Sequence, residues 1–404
     1  MAIKAAQILF DNDGYVINRI QSAGPGNVNL PEETVYEVGN YQSVGITRDI
    51  PDLSFDVEAL AVNCEFEAIA TGADPSSLAA NAEIDLADAV PIDILSPFKS
   101  GNGAFDIVRG IAIPELMLER ASYRFGLRQN ATQQFTLRGD SIRYIPGSPY
   151  KQVFATPTDN SENAFTNTAI AYTDDGTTTY ALNVRAVDTS TGATKRLRHG
   201  DDFTDTATGW SFVDFNDFPA ATYDEIHVVY GSTTAATYNQ TVHNTTDATA
   251  IRGRNIDVYV EDSPGAGTLS RWTTVQSTEV NWSVTLEATE EFGNSQAVDR
   301  DFEVPEVTGS VSIRAEDPAD LWAKIEQIAN TPASEITGPL TAAALEVEIR
   351  LTDPDTGSVV KTFAVEDAVF TVPGFSARQQ TKLDSTFSFR SEGGNLKVYN
   401  GIKP

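Results

Sequence analysis

Apolar and polar residues alternate in short runs along most of this chain, the two-residue period of half-buried β-strands. Thr179-Tyr180-Ala181-Leu182-Asn183-Val184-Arg185-Ala186-Val187 and Glu346-Val347-Glu348-Ile349-Arg350-Leu351 are examples. Turn signals punctuate the runs at Asn12-Asp13-Gly14, Asp174-Asp175-Gly176, Thr191-Gly192 and Gly393-Gly394-Asn395. The pattern predicts a mainly β protein built of antiparallel sandwiches or barrels. Helical spacing is rare. The clearest case starts at Asp317-Pro318, a cap followed by proline at the first helical position. Leu321, Trp322, Ile325 and Ile328 then form one apolar stripe at 3/4 spacing.

The pattern also repeats. Glu37-Val38-Gly39-Asn40-Tyr41-Gln42-Ser43-Val44 matches Glu291-Phe292-Gly293-Asn294-Ser295-Gln296-Ala297-Val298 at an offset of 254. The same offset carries Ile50-Pro51-Asp52-Leu53 onto Val304-Pro305-Glu306-Val307, Val57 onto Val311, and Ile142-Arg143 onto Leu396-Lys397. Ordered matches at one spacing predict a duplicated domain, with a first copy at 1–150 and a second at 253–404. In each copy the order is loop, proline-containing strand, helix and further strands. Asp74-Pro75-Ser76-Ser77-Leu78 is the expected counterpart of the second helix. Each copy is expected to end in a hairpin, Phe135-Thr136-Leu137-Arg138 with Ile142-Arg143-Tyr144, and Phe387-Ser388-Phe389-Arg390 with Leu396-Lys397-Val398.

Residues 151–252 have no partner in either copy. Segments 197–204, 209–215 and 224–230 read as successive strands of a small immunoglobulin-like or fibronectin-like sandwich.

Composition narrows the function. The chain of 404 residues carries 57 carboxylates against 28 bases, a formal net charge of −29, and only nine of the bases are lysine. A nucleic-acid clamp would have the opposite sign. Few lysines with many carboxylates is a pattern of halophilic proteins, in which strong salt screens self-repulsion within about 3 Å at 1 M. The alternative is an acidic, soluble mesophilic protein. No apolar run is long enough to suggest a membrane span, and the first residues show no secretory pattern. The lone Cys64 excludes an intrachain disulfide and reads as a buried structural thiol.

Chemistry is sparse. His199, His227 and His243 lack second ligands at metal spacing. There is no phosphate loop and no nucleophile elbow. Asp11-Asn12-Asp13-Gly14, Asp174-Asp175-Gly176 and Asp353-Pro354-Asp355-Thr356-Gly357 read as turns in preference to calcium loops. No catalytic residue, metal site or cofactor is expected.

The repeated unit resembles the tail tube (major tail) protein of long-tailed, non-contractile viruses of bacteria and archaea. The resemblance rests on the extended segments Val35–Leu53 and Thr289–Val307, the short flanking helix, and the hairpin expected at 135–145 and 387–399. It implies two tandem β-sandwich or barrel domains, each with a short helix, and a decoration domain inserted between them. It implies homotrimeric, pseudo-hexameric rings, stacked as a tube in the virion tail and assembled in the host cytoplasm. Tail terminator, tape-measure and tail-tip proteins would be partners, with no membrane partner. DNA would pass through during genome ejection without specific binding, repelled by an acidic lumen. Ring-to-ring contact then falls to the loops Glu37, Val38, Gly39, Asn40, Tyr41, Gln42 and Glu291, Phe292, Gly293, Asn294, Ser295, Gln296, with Arg48, Arg300 and Arg314 as candidate interface ion pairs. A rival reading is a surface or adhesive β-sandwich protein binding carbohydrate or protein. A third is a salt-tolerant hydrolase, for which no motif speaks.

Overall fold

The computed structural model describes the chain outside residues 1–2, 6–8, 11–18, 30–31, 37–42, 49–51, 74, 76–77, 101–106, 141, 146–147, 158–163, 167–180, 190–193, 198–201, 207–208, 213–218, 233–248, 290–298, 316–317, 333–342, 372–373 and 377–382. The described part is mainly β, with two α-helices. In the first third lie β1 (Ile3–Ala5), β2 (Leu9–Phe10), β3 (Ile20–Asn29), β4 (Glu32–Tyr36), β5 (Ser43–Arg48), β6 (Asp52–Leu60), α1 (Glu65–Ala70), β7 (Glu83–Asp85), β8 (Ile92–Ser100), β9 (Ile107–Gly126), β10 (Thr132–Gly139) and β11 (Arg143–Ile145). The middle holds β12 (Ser148–Ala155), β13 (Ala164–Thr166), β14 (Ala181–Val187), β15 (Thr194–Arg196), β16 (Phe203–Thr206), β17 (Gly209–Phe212) and β18 (Glu225–Ser232). Then follow β19 (Ile256–Glu261), β20 (Leu269–Trp272), β21 (Val275–Ser283), β22 (Leu286–Thr289), β23 (Asp299–Phe302), β24 (Glu306–Ala315), α2 (Pro318–Ala329), β25 (Ala344–Thr352), β26 (Val359–Phe370), β27 (Gly374–Ser376), β28 (Leu383–Ser391) and β29 (Leu396–Tyr399).

The chain forms two compact units. One comprises Met1–Ile17, Pro91–Leu116 and Gly139–His243; the other comprises Asn18–Val90, Met117–Arg138 and Asn244–Pro404. Each unit is built from stretches lying on both sides of the sequence boundaries at 150 or 252.

The first unit contains the inserted sandwich. One sheet runs β12-β18-β14-β15 and the other β13-β17-β16. These neighbours match the G-F-C-C′ and B-E-D sheets of an immunoglobulin-like sandwich, except that the first strand, β12, occupies the place of the last. Between the sheets pack Val184, Leu197, Phe203, Trp210, Phe212, Ile226, Val228 and Tyr230. Of the segment expected as one strand at 197–204, residues 198–201 lie outside the described residues, Leu197 and Asp202 are in no strand, and β16 begins at Phe203.

The second unit buries a long aromatic core. Phe66 stacks on Phe135 at 3.8 Å, Tyr123 meets Phe363 at 4.4 Å, and Trp272 meets Phe387 at 5.1 Å. Rings offset or edge-on at these separations add stabilisation beyond their buried area.

Strand registers repeat along the chain. Asn29↔Asp52 in β3–β6 becomes Ser283↔Glu306 in β21–β24, both residues displaced by 254. Glu32↔Arg48 in β4–β5 becomes Leu286↔Phe302 in β22–β23 at the same displacement. Leu118↔Leu137 in β9–β10 becomes Phe370↔Phe389 in β26–β28 at 252. Gly110↔Ile145 in β9–β11 becomes Thr362↔Tyr399 in β26–β29, at 252 and 254.

Three local expectations are corrected. The first helix is Glu65–Ala70; of the segment expected to hold it, Asp74, Ser76 and Ser77 lie outside the described residues, Pro75 lies in a turn and Leu78 is in no helix. Glu65, Glu67, Ala68 and Ala70 favour a helix there, whereas Pro75 favours a turn. The terminal strand pairs are not hairpins. β10 and β11 both run antiparallel to β9, and β28 and β29 both run antiparallel to β26. Gly393-Gly394 therefore bulges a strand that keeps its direction. Gly394 has φ of 67°, and a Cβ there would stand 2.0 Å from the Pro305 carbonyl oxygen. Finally, Trp322 is 51% exposed, although its spacing places it with buried Leu321, Ile325 and Ile328.

Core volume is redistributed between the repeats. Where β6 has buried Phe55, β24 has Gly309, and where β10 has buried Leu137, β28 has Phe389. Gly309 lies directly opposite Phe389, and a Cβ on it would come within 2.2 Å of that ring. Gly309→Phe is therefore expected to destabilise the protein by about 1–3 kcal/mol or more through overpacking. Adding Phe389→Leu should recover the part of the loss that comes from the ring, but not the part from the Glu279 carbonyl oxygen, 2.7 Å from such a Cβ; urea midpoints measure both, and an unimproved double variant would refute the exchange.

Candidate functional site

Among the described residues the candidate site is the seam where strands of the two repeats meet inside the second unit. The C-terminal half of β9 pairs with β21 through seven residue pairs, from Ser277↔Gly126 to Ser283↔Arg120. Ser122 Oγ donates to Asn281 Oδ1 across this ladder at 2.6 Å. A second ladder joins β7 to β29 through Asp85↔Lys397, Ile84↔Val398 and Glu83↔Tyr399. The Tyr399 hydroxyl donates to Glu83 at 2.9 Å, and Lys397 Nζ stands 3.0 Å from the same carboxylate. Lys397, and Tyr399 to a smaller degree, hold the Glu83 carboxyl below its ordinary range.

Behind these ladders lies a fully buried ion pair. Lys361 Nζ is 2.5 Å from Glu67 Oε1, with both side chains at 0% exposure. The same ammonium donates to the Asn63 carbonyl at 2.9 Å and to Gln133 Oε1 at 3.0 Å, so all three donors are used. Tyr123 and Phe363 place their rings 5.4 and 5.0 Å from it. Glu67 Oε2 and the Tyr123 hydroxyl are buried close to each other, and neither makes a well-aligned hydrogen bond. Burial first, then the Glu67 carboxylate, hold the Tyr123 phenol well above its ordinary value, so it stays protonated. Cys64 Sγ donates to the Tyr399 carbonyl at 3.6 Å, and burial pushes its pKa up to about 12, an inert thiol. The sequence signal for this cluster was a lone lysine inside the apolar run Val359-Val360-Lys361-Thr362-Phe363-Ala364-Val365.

Two strand margins stand open among the described residues. β21 is flanked by β24 and β9, whereas the register of its repeat counterpart, β3, runs along β6 alone. The C-terminal half of β9 is flanked by β10 and β21, whereas the register of its counterpart, β27, runs along β28 alone. Pro25 in β3 lacks an N–H for a further ladder, and a Cβ built on Gly24 would meet nothing within 4 Å. These are marks of an edge strand.

The loop tips expected to make ring contacts, 37–42 and 291–296, lie outside the described residues. Their stems are antiparallel ladders, β4–β5 and β22–β23. Beside the second stem Phe302 is 37% and Val304 82% exposed. Arg48 and Arg300 lie in β5 and β23 and their side chains are outside the description. Arg314 pairs within its own sheet, with Nε 2.8 Å from Asp384 Oδ1 on exposed surface. That contact raises the guanidinium pKa and lowers that of the carboxyl. In the 353–357 segment Asp353 Oδ1 and Oδ2 accept from the Asp355 N–H and the Thr356 hydroxyl, a side-chain-capped turn. Among the described residues no three His, Cys, Asp or Glu side chains gather as a metal site, and no helix is long and apolar enough to cross a membrane.

No protein-family model matches the chain, and no curated protein matches it. Among solved structures it aligns with a chain of the anti-feeding prophage baseplate (six-fold symmetrised cryo-EM), at 11% identity over 38% of this chain and 97% of that one, with a TM-score of 0.28. It also aligns with a chain of the tail of an empty GTA particle (helical refinement, C6 symmetry), at 14% identity over 36% and 96%, with a TM-score of 0.24. Likeness at this level defines neither the fold nor the function of this chain.

Proposed function

We propose that this chain is a structural subunit of a viral tail tube, in which three copies close a ring of six similar domains and rings stack around an acidic lumen for DNA. In this reading the chain divides into tail-tube-like domains at 1–150 and 253–404, with the inserted sandwich at 151–252 as an outer decoration. The observation that carries it is the β9–β21 ladder. It joins one repeat to the next through strands whose counterparts, β27 and β3, have open margins. A head-to-tail contact that recurs between chains closes a ring when its rotation divides the circle.

The register of the contact follows from the internal one. Asn281↔Ser122 carries over to Asn27 of one chain opposite Gly374 of the next, using displacements of 254 and 252. Pairing open edges also removes an aggregation hazard from the free monomer. The net charge of −29 suits a channel that must not retain a polyanion. The tips at 37–42 and 291–296 are assigned to ring stacking, with Phe302 and Val304 as exposed apolar surface beside the second stem.

Negative-stain or cryo-EM images of the concentrated protein, in low and in molar salt, test this. Rings or tubes with three-fold symmetry are expected. Isolated globular particles under every condition would sink the reading.

A further inference from the structure

The helices of the two repeats occupy the same place in the strand order but are buried differently. α1 follows β6, and all six of its residues are buried. Part of that cover comes from the second repeat: Lys361 of β26 meets Glu67, and the carbonyl of Tyr399 in β29 accepts from Cys64 beside the helix. α2 follows β24 and buries one face only. Leu321, Ile325 and Ile328 turn inward, and Gln327 accepts from Trp272 Nε1 and donates to the Val260 and Glu261 carbonyls. Its outer face leaves Ala319, Asp320, Trp322, Ala323 and Glu326 exposed. A half-exposed tryptophan flanked by two alanines is an apolar surface of the kind that anchors interfaces.

We infer that the outer face of α2, centred on Trp322, is covered by residues 109–111 and 145 of a second copy of this chain. The occupant follows from the seam. Lys361–Phe363 and Tyr399, which lie against or beside α1 in the second unit, correspond by register to residues 109–111 of β9 and 145 of β11. What the second repeat does for α1 within one chain, the first repeat of a neighbour does for α2. Arg109 keeps a base at the register position of Lys361, and Asp320 and Glu326 are the exposed carboxylates of the receiving face. The inference deepens the ring reading and rests on it, adding a specific anchor and a specific docking strand.

The test uses the full chain in sedimentation velocity across a concentration series. Trp322→Glu is expected to weaken self-association at least about 30-fold, the loss typical of an interface anchor. Trp322→Phe should retain most of it. Thermal unfolding of dilute Trp322→Glu should match the parent, because the side chain already faces solvent in the single chain. A photo-reactive benzoylphenylalanine at position 322 should cross-link to a peptide containing residues 109–111 or 145 of another copy. A parent protein that stays monomeric throughout would overturn the ring reading and this inference together. A parent that associates while Trp322→Glu associates equally well, or cross-links elsewhere, would overturn the α2 docking alone.

Discussion

Replacing Lys361 by methionine is expected to cost about 3–5 kcal/mol of folding stability, the range for removing one partner of a buried ion pair. The substitution keeps the stem volume and removes only the ammonium. Glu67 would then be left at 0% exposure without its cation, and Gln133 Oε1 and the Asn63 carbonyl would each lose a donor. Unpaired buried polar atoms add about 1–3 kcal/mol apiece when they cannot relax toward water. Because Glu67 lies in α1 and Lys361 in β26, the loss should loosen the seam first. Hydrogen exchange should rise along β7–β29 and β9–β21 before it rises elsewhere. Lys361→Met with Glu67→Leu should regain a large part of the stability, because an apolar pair of similar volume replaces a buried ion pair at little cost. Urea unfolding of the parent, the single and the double variant decides. A single variant within about 1 kcal/mol of the parent would show that the pair does not hold the seam.

The second large effect is expected at Trp210. It is fully buried between the two sheets of the inserted sandwich, 4.9 Å from the Tyr230 ring and 6.3 Å from Phe154. Trp210→Ala should destabilise the sandwich by about 3–5 kcal/mol, the usual cost of an emptied aromatic site. Trp210→Phe should cost far less than its lost area implies. The indole N–H is buried without a hydrogen-bond partner, and phenylalanine removes that unsatisfied donor with the ring. Near-ultraviolet circular dichroism of the full chain on heating should show an early transition for the alanine variant only. Equal losses for alanine and phenylalanine would mean that the indole nitrogen finds a partner.

Neither effect was readable from residue types alone, for different reasons. Trp210 sits in an alternating run, so its burial was legible, but its neighbours come from strands up to some sixty residues distant. Lys361 was visible as a charge inside an apolar strand, but its partner lies 294 residues away in a helix expected elsewhere. Spacing rules for helices describe which residues share a face. They do not say which faces find cover, and so the 3/4 spacing groups Trp322 with a core stripe it does not join. The terminal strands misled in a related way. Two short apolar runs around Gly393-Gly394 look like a hairpin, yet the pair continues in one direction along β26 because a bulge absorbs the extra residues.

The sequence by itself determined the β class, through its two-residue alternation, and the recurrence at 254, through matched residues around identical Gly-Asn pairs. Both are local properties, written in side-chain order and in the backbone needs of Gly, Pro and Asn. The tertiary structure alone decided that β9 meets β21, that a lysine and a glutamate share a dry interior, and which strand margins and helix face remain open among the described residues. Those outcomes depend on pairings between residues hundreds of positions apart, where the free energy of burial and of completed hydrogen bonds, and not local preference, selects the partner.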